Sequence, residues 1–153
     1  HVVPVIVNCD ENDGYKLSAK NIEKAVTSKT KAILLNSPHN PTGIVYKKNE
    51  LEEIAQIAKK YNLIIISDEI YEKLIYDGEE HVSIASLSED AYERTIVING
   101  LSKTYAMTGW RVGYTASSTK LAKVMSSVQR HMTFNVFSIK PKLLDVIALV
   151  MQD

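Results

Sequence analysis

Leu63-Ile64-Ile65-Ile66-Ser67-Asp68-Glu69-Ile70-Tyr71 changes character in the middle, and that change decides the fold. Large aliphatic side chains in an unbroken row, with no polar alternation, read as a strand buried on both faces. A serine and two acids follow at once, so the strand ends in polar groups. Working outward, Ala32-Ile33-Leu34-Leu35 and Thr95-Ile96-Val97-Ile98 repeat the pattern and end in Asn36 and in Asn99-Gly100. Val2 to Val7 is β-branched and reads as a buried strand, and Arg111 to Ala116 as a further one. Between strands, Ser18 is placed to cap a helix running to Ser28, with Ile22, Ala25 and Val26 on one face. Asn49 is placed to cap a second, with Leu51, Ile54, Ala55, Ile57, Ala58 and Tyr61 at helical spacing. Leu121 to Val128 and Leu143 to Val150 are helical in pattern.

Doubly apolar strands alternating with amphipathic helices predict an α/β fold: a three-layer, mostly parallel sheet with helices on both faces. In such sheets ligands bind at the carboxyl ends of the strands. The unusual polar segments Asn36 to Gly43, Ser67 to Tyr71 and Asn99 to Arg111 each follow a strand directly. They are expected to converge on one edge.

The chain has 153 residues, 45% hydrophobic and 24% charged, with Lys plus Arg equal to Asp plus Glu. That length buries a core, and the balanced charge gives no net field toward nucleic acid or an anionic membrane. No apolar run approaches the roughly 18 residues of a membrane span. One cysteine, Cys9, excludes an internal disulfide and points to a reducing, cytoplasmic setting. The chain opens without Met, inside a strand pattern, and Lys142 to Met151 is helical with no stop signal. It reads as a piece of a longer protein.

The three polar segments carry different chemistry. Asn36-Ser37-Pro38-His39-Asn40-Pro41-Thr42-Gly43 has two prolines and a glycine that fix its backbone and orient Asn40. Alone it reads equally as a rigid turn or a binding loop. Asp68 follows aliphatic residues, so its carboxylate is expected half-buried and in need of a cation. For a single Asp, capping a helix that starts at Glu69 is the blander reading, and it outweighs the functional one. Lys103, in a loop beside apolar neighbours, has the setting of a nucleophilic amine. Arg111 offers a forked donor for phosphate between the small Gly109 and Gly113. Taken singly, most lysines and arginines are solvated surface groups.

Together the segments resemble the class I and II aminotransferase family of fold type I pyridoxal-phosphate enzymes. The matching motifs are Asn40-Pro41-Thr42-Gly43, then Asp68-Glu69-Ile70-Tyr71. The third is Gly100-Leu101-Ser102-Lys103-Thr104-Tyr105-Ala106-Met107-Thr108-Gly109-Trp110-Arg111-Val112-Gly113. The resemblance runs from about Val2 to Met132 and is nearest to the aspartate and aromatic aminotransferases with Met-Thr-Gly-Trp-Arg. It implies that residues 1–153 are part of the cofactor-binding large domain, the small domain being absent.

The resemblance also implies roles. Pyridoxal 5'-phosphate would be held as a Schiff base by Lys103, whose freed amine then shuttles the substrate proton. Asp68 would pair with the ring nitrogen, which answers its burial. Asn40 and Tyr71 would donate to the phenolic oxygen, and Ser102 and Arg111 would hold the phosphate. Many relatives have Ser where Gly100 stands, so the phosphate hydroxyl comes from Ser102 alone or from elsewhere. Asn40-Pro41 is the expected place for a cis bond. Phe134 to Pro141 departs from the family's usual pattern.

The implied activity is transfer of an amino group between an L-amino acid, aspartate or aromatic, and a 2-oxo acid. A homodimer is the implied assembly, with no nucleic-acid partner and no membrane. Other readings are a β-lyase or cyclase using the same lysine, an aminotransferase-like domain of a transcriptional regulator, or a degenerate remnant. Intact Lys103, Asp68, Tyr71, Asn40 and Arg111 argue against the last. No metal site is suggested, since His39 reads as loop filler and His81 and His131 lack ligand-spaced partners. Glu69 and Glu72 are expected to face solvent or cap a helix, Cys9 to be structural at a strand end, and Tyr105 and Trp110 to pack near the cofactor loop. The isolated chain is expected to bind cofactor weakly or not at all, to turn over no substrate and to self-associate.

Overall fold

The computed structural model describes residues 3–9 and 11–132. The chain forms two compact units, His1–Ser118 and Thr119–Asp153. In the second, the described part is one helix, Thr119–Met132, longer than the expected Leu121 to Val128. Phe134 to Pro141 and the helical pattern Leu143 to Val150 lie outside the described residues. No helix among the described residues is long and apolar enough to cross a membrane.

The first unit is built on β1 (Ala32–Asn36), β2 (Ile64–Asp68), β3 (Thr95–Gly100) and β4 (Gly113–Ser117). They lie side by side in that order, β1 to β2 to β3 parallel and β3 to β4 antiparallel. The sheet is thus mixed and mainly parallel. Residues α1 (Ala19–Ala25), α2 (Lys48–Lys60), α3 (Glu89–Arg94) and α4 (Leu101–Thr104) form the helices of this unit.

Local chemistry sets where elements begin and end. Ser18 caps α1 as expected, its hydroxyl accepting from the Asn21 amide at 3.2 Å. The helix stops at Ala25 and not at Ser28, because β-branched Val26 turns extended. Beyond it Thr27 and Thr30 take over the amides: Thr30 Oγ1 accepts from Thr27 N at 2.9 Å and Thr27 Oγ1 from Lys29 N at 3.2 Å. The cap of α2 is Lys47, not Asn49, and the Glu50 carboxylate reaches back to the Lys47 amide at 2.7 Å. The same carboxylate pairs with Lys16 at 2.8 Å. Burial opposes its ionisation, but the Lys16 ammonium and the Lys47 amide win and hold Glu50 below the usual carboxylate range.

One apolar core forms where α1 and α2 meet one face of the sheet. It gathers Ile22, Ile33, Leu35, Tyr46, Leu51, Ile54, Ala58, Leu63, Ile65 and Ile84. Each fully buried aliphatic side chain there contributes about 1.5–3 kcal/mol. The opposite face carries Leu34, 72% exposed, beside Ile66 of β2. Ile98 of β3 lies exposed on that face as well.

Two strand expectations are corrected. Residues 3–9 form no strand, and Val3, Val5 and Ile6 are exposed. Their β-branched composition favours an extended chain, but a strand also needs a neighbour for its amides and carbonyls. Cys9 therefore stands at no strand end. The last strand starts at Gly113, not Arg111, because Arg111 takes a left-handed conformation (φ 52°) that no strand accommodates.

Candidate functional site

Pairing brings the carboxyl ends of three strands level. Asn36 of β1 lies beside Asp68 of β2, and Asp68 beside Ile98 of β3. The loops that leave this edge are the polar segments singled out in the sequence.

The first loop is tied both to β1, the strand it leaves, and to the neighbouring β2. The Asp68 carbonyl accepts from Ser37 N and from Asn36 Nδ2, both at 3.1 Å. Asn36 Oδ1 accepts from the Asn40 amide at 3.1 Å. Cis peptide bonds precede Pro38 and Pro41. His39 closes the loop from within, its amide donating to Ile44 O at 2.9 Å and its carbonyl accepting from Gly43 N at 2.8 Å. Gly43 sits at φ +73°, a conformation a side chain would strain. The product is an Asn40 side chain held out at the strand edge.

Asn40 Nδ2 donates to the Tyr71 hydroxyl at 3.0 Å. The Lys103 ammonium lies over the Tyr71 ring, 5.4 Å from its centroid. Asn40, Tyr71 and Lys103 are thus brought together from three loops. Asp68 stands at the same corner, half-buried as expected. Its Oδ1 accepts from Ile70 N at 3.1 Å, so the capping role exists but serves a turn. No helix starts at Glu69. Among the described residues, Asp68, Lys103 and Arg111 make no ion pair.

Ser102 and Arg111 lie on the short segment that closes α4 back on β4. Leu101 N donates to Val112 O at 3.2 Å, so each of the two residues is one position from that bond. Ser102 is half-buried on α4, and Arg111 is exposed with Nη1 donating to Thr108 O at 3.3 Å. Tyr105 and Trp110 are largely exposed.

Gly100 has a steric reason. A Cβ there would sit 2.9 Å from Val112 O, 3.1 Å from Ile70 Cδ1 and 3.2 Å from Gly113 Cα. A side chain at this position would push β3 and β4 apart. Gly113 serves the same close approach, since its own Cβ would meet Asn99 O at 3.3 Å.

Sequence reasoning missed a network behind this corner. Glu69 does not face solvent; it is 3% exposed. Its Oε1 accepts from Ser67 Oγ and Ser83 Oγ, both at 2.9 Å, and its Oε2 lies 2.8 Å from His81 Nε2. His81 therefore has a partner 12 residues away, and Glu72 also lies within 4.8 Å of this pair. The period-two alternation of β2 held the signal: Ser67 inward, Asp68 outward, Glu69 inward again.

A mainly parallel sheet with a lysine, a carboxylate, a tyrosine and an asparagine gathered at its carboxyl edge defines a class of protein. The chain belongs to the aminotransferase class I and II family, which its sequence matches over residues 1–148. It is 50% identical over 133 residues to an aspartate aminotransferase from Bacillus sp. (strain YM-2), covering 87% of this chain and 34% of the relative. Among solved structures it resembles an aromatic aminotransferase from Pyrococcus horikoshii OT3, with a TM-score of 0.80 and 48% identity. That match covers 84% of this chain and 34% of the other. An aspartate aminotransferase from Thermus thermophilus with maleate gives a TM-score of 0.78 at 41% identity, covering 84% and 32%. The chain spans about a third of the length of the curated relatives it matches.

Proposed function

We propose that the whole protein is a pyridoxal-phosphate-dependent aminotransferase, with Lys103 as the amine that bonds to the cofactor aldehyde. The amino donor would be an L-amino acid of aspartate or aromatic type and the acceptor a 2-oxo acid. One observation carries the reading. Among the described residues, Asp68 at the end of β2 is a half-buried carboxylate without a cation, and Lys103 over the Tyr71 ring is a half-buried ammonium without an anion. Unpaired half-buried charges are costly, and a ligand with a cationic ring nitrogen and an electrophilic carbon removes both costs.

The residues fit that group. When bound, pyridoxal phosphate supplies an aldehyde for amines and a protonated ring that withdraws electrons from the substrate α-carbon. Asp68 would accept the ring N–H and keep it protonated. Because Asn40 already donates to the Tyr71 oxygen, the Tyr71 hydrogen is left to donate outward to the phenolic oxygen. Lys103, released by the incoming amine, would take the proton from the substrate α-carbon and deliver it to the carbon of the cofactor aldehyde. Ser102 and Arg111 would hold the phosphate, Arg111 by its fork. The family supports a homodimer, and the single cysteine supports a cytoplasmic location.

The absorbance spectrum of the whole protein with added cofactor tests this. The expected result is a visible band that moves with pH, vanishes in Lys103→Ala and is converted by aspartate or an aromatic amino acid. A band indifferent to Lys103→Ala overturns the assignment.

A further inference from the structure

We infer that Glu69 is a positioning residue, which clamps the turn carrying Asp68 and Tyr71 to the segment His81–Ser83 and so sets the direction of both site side chains. The inference rests on the cofactor reading for its functional consequence, but its geometry stands without it.

Glu69 occupies the point where β2 becomes the site turn. Its amide donates to Ile98 O at 2.9 Å, and its carbonyl accepts from Glu72 N at 2.9 Å. The next link, Leu74 N to Tyr71 O at 2.8 Å, closes the turn that points Tyr71 at Asn40. Backbone bonds alone leave such a turn free to rock. The carboxylate removes that freedom by taking hydrogen bonds from Ser67, Ser83 and His81. The segment it grips is itself anchored, because Ile84 is in the core and Val82 packs against it. Strand alternation does the rest: with Glu69 held on the covered face, Asp68 is directed to the opposite one.

The trio Glu69, Glu72 and His81 has the composition of a cation site. Both Glu69 oxygens are already engaged by hydroxyl and imidazole groups, and that engagement favours a clamp. A buried carboxylate is an expensive way to join two segments unless its orientation matters, since hydrogen bonds to a charged group are stiff and directional.

The test uses the whole protein as wild type, Glu69→Ala, Glu69→Gln and the milder Ser83→Ala. Hydrogen exchange at the amides of Ile70, Glu72 and Leu74 reads the turn without any cofactor. The expected result in Glu69→Ala is exchange faster by about tenfold, which corresponds to about 1.4 kcal/mol, with the β1–β2 ladder unchanged. Ser83→Ala should show a smaller rise at the same amides and covers the case that Glu69→Ala fails to fold. Glu69→Gln, which keeps the acceptor for the two serines, should restore much of the protection. In parallel, the pH midpoint of the cofactor band should move by about one unit in Glu69→Ala, a tenfold change in proton affinity. Unchanged exchange at these amides in both Glu69→Ala and Ser83→Ala overturns the clamp. Faster exchange with an unmoved midpoint overturns its role in positioning. Faster exchange in the variants, with a wild type that shows no band, refutes the cofactor reading and leaves the clamp standing.

Discussion

The Asn40 side-chain amide donates to the Tyr71 hydroxyl across 3.0 Å, joining loops 31 residues apart that leave neighbouring strands. Both loops are tied to the strand ends by further bonds, Asn40 N to Asn36 Oδ1 and Ile70 N to Asp68 Oδ1. The contact is a product of sheet register, because Asn36 and Asp68 stand side by side. Its chemical effect is to commit the Tyr71 oxygen as an acceptor and turn its hydrogen outward.

That pairing makes a first prediction. Asn40→Ala and Tyr71→Phe are each expected to weaken cofactor binding by the whole protein about tenfold, the value of one good hydrogen bond. The double variant should lose little more than either single one, because the two groups act as a pair. Fully additive losses in a titration would show that they act separately.

Gly100→Ser should destabilise the fold by about 1–3 kcal/mol, the usual cost of forcing an atom into packed surroundings. The added Cβ meets the Val112 carbonyl at 2.9 Å, and backbone cannot swing aside as a side chain can. Denaturant unfolding measures the change. A variant as stable as the wild type would mean that β3 and β4 separate easily.

Ile54 is completely buried between α2 and the sheet. Ile54→Ala is expected to cost about 2–5 kcal/mol by leaving a cavity. A loss under about 1 kcal/mol in denaturant unfolding would show that the core collapses to fill the space.

Asp90 and Arg94 form a two-pronged pair, Nε to Oδ2 at 2.8 Å and Nη2 to Oδ1 at 2.7 Å. Arg94 also donates to Leu63 O, tying α3 to the residue before β2. The Arg94 guanidinium holds Asp90 below the usual carboxylate range, with burial opposing. A folded pKa below the unfolded value of about 3.9 means the pair stabilises the fold above that pH. The contribution then fades as pH falls through the lower, folded value. Asp90 is one-third exposed, so solvent screening limits the gain to about 0.5–1 kcal/mol. Asp90→Asn should therefore lower stability at pH 7 and match the wild type in strong acid. A gap that persists in acid would assign the effect to shape and not to charge.

The bare sheet face around Leu34 gives a prediction for the chain by itself. Leu34 is 72% exposed beside Ile66, and β1 has one strand neighbour among the described residues. Exposed apolar face and open edge together favour self-association. Size measurement across concentration should show association that Leu34→Lys reduces. A clean monomer for the wild type at high concentration would contradict it.

Local pattern was a good guide wherever burial itself is periodic. The apolar runs at 32–35, 63–66 and 95–98 became β1, β2 and β3 with shifts of a residue or two. The amphipathic pattern from Leu51 to Ala58 became the buried face of α2. The half-burial of Asp68 followed from its place after an apolar strand. Where a partner was needed, pattern failed: Val3, Val5 and Ile6 have strand composition and no strand. Glu69 was misplaced because an acid defaults to solvent, while its burial depends on Ser83 and His81, 14 and 12 residues on.

Sequence by itself determined the family and the order of β1, β2 and β3 with the helices between them, because motif identity and hydrophobic period are properties of a local stretch of chain. Tertiary structure alone decided that β4 runs antiparallel, that Gly100 admits no side chain, and that Glu69 lies buried beneath the site turn. Each of those depends on which distant atoms come within 3 Å or so of one another. Linear order does not encode such approaches until the sheet has set its register.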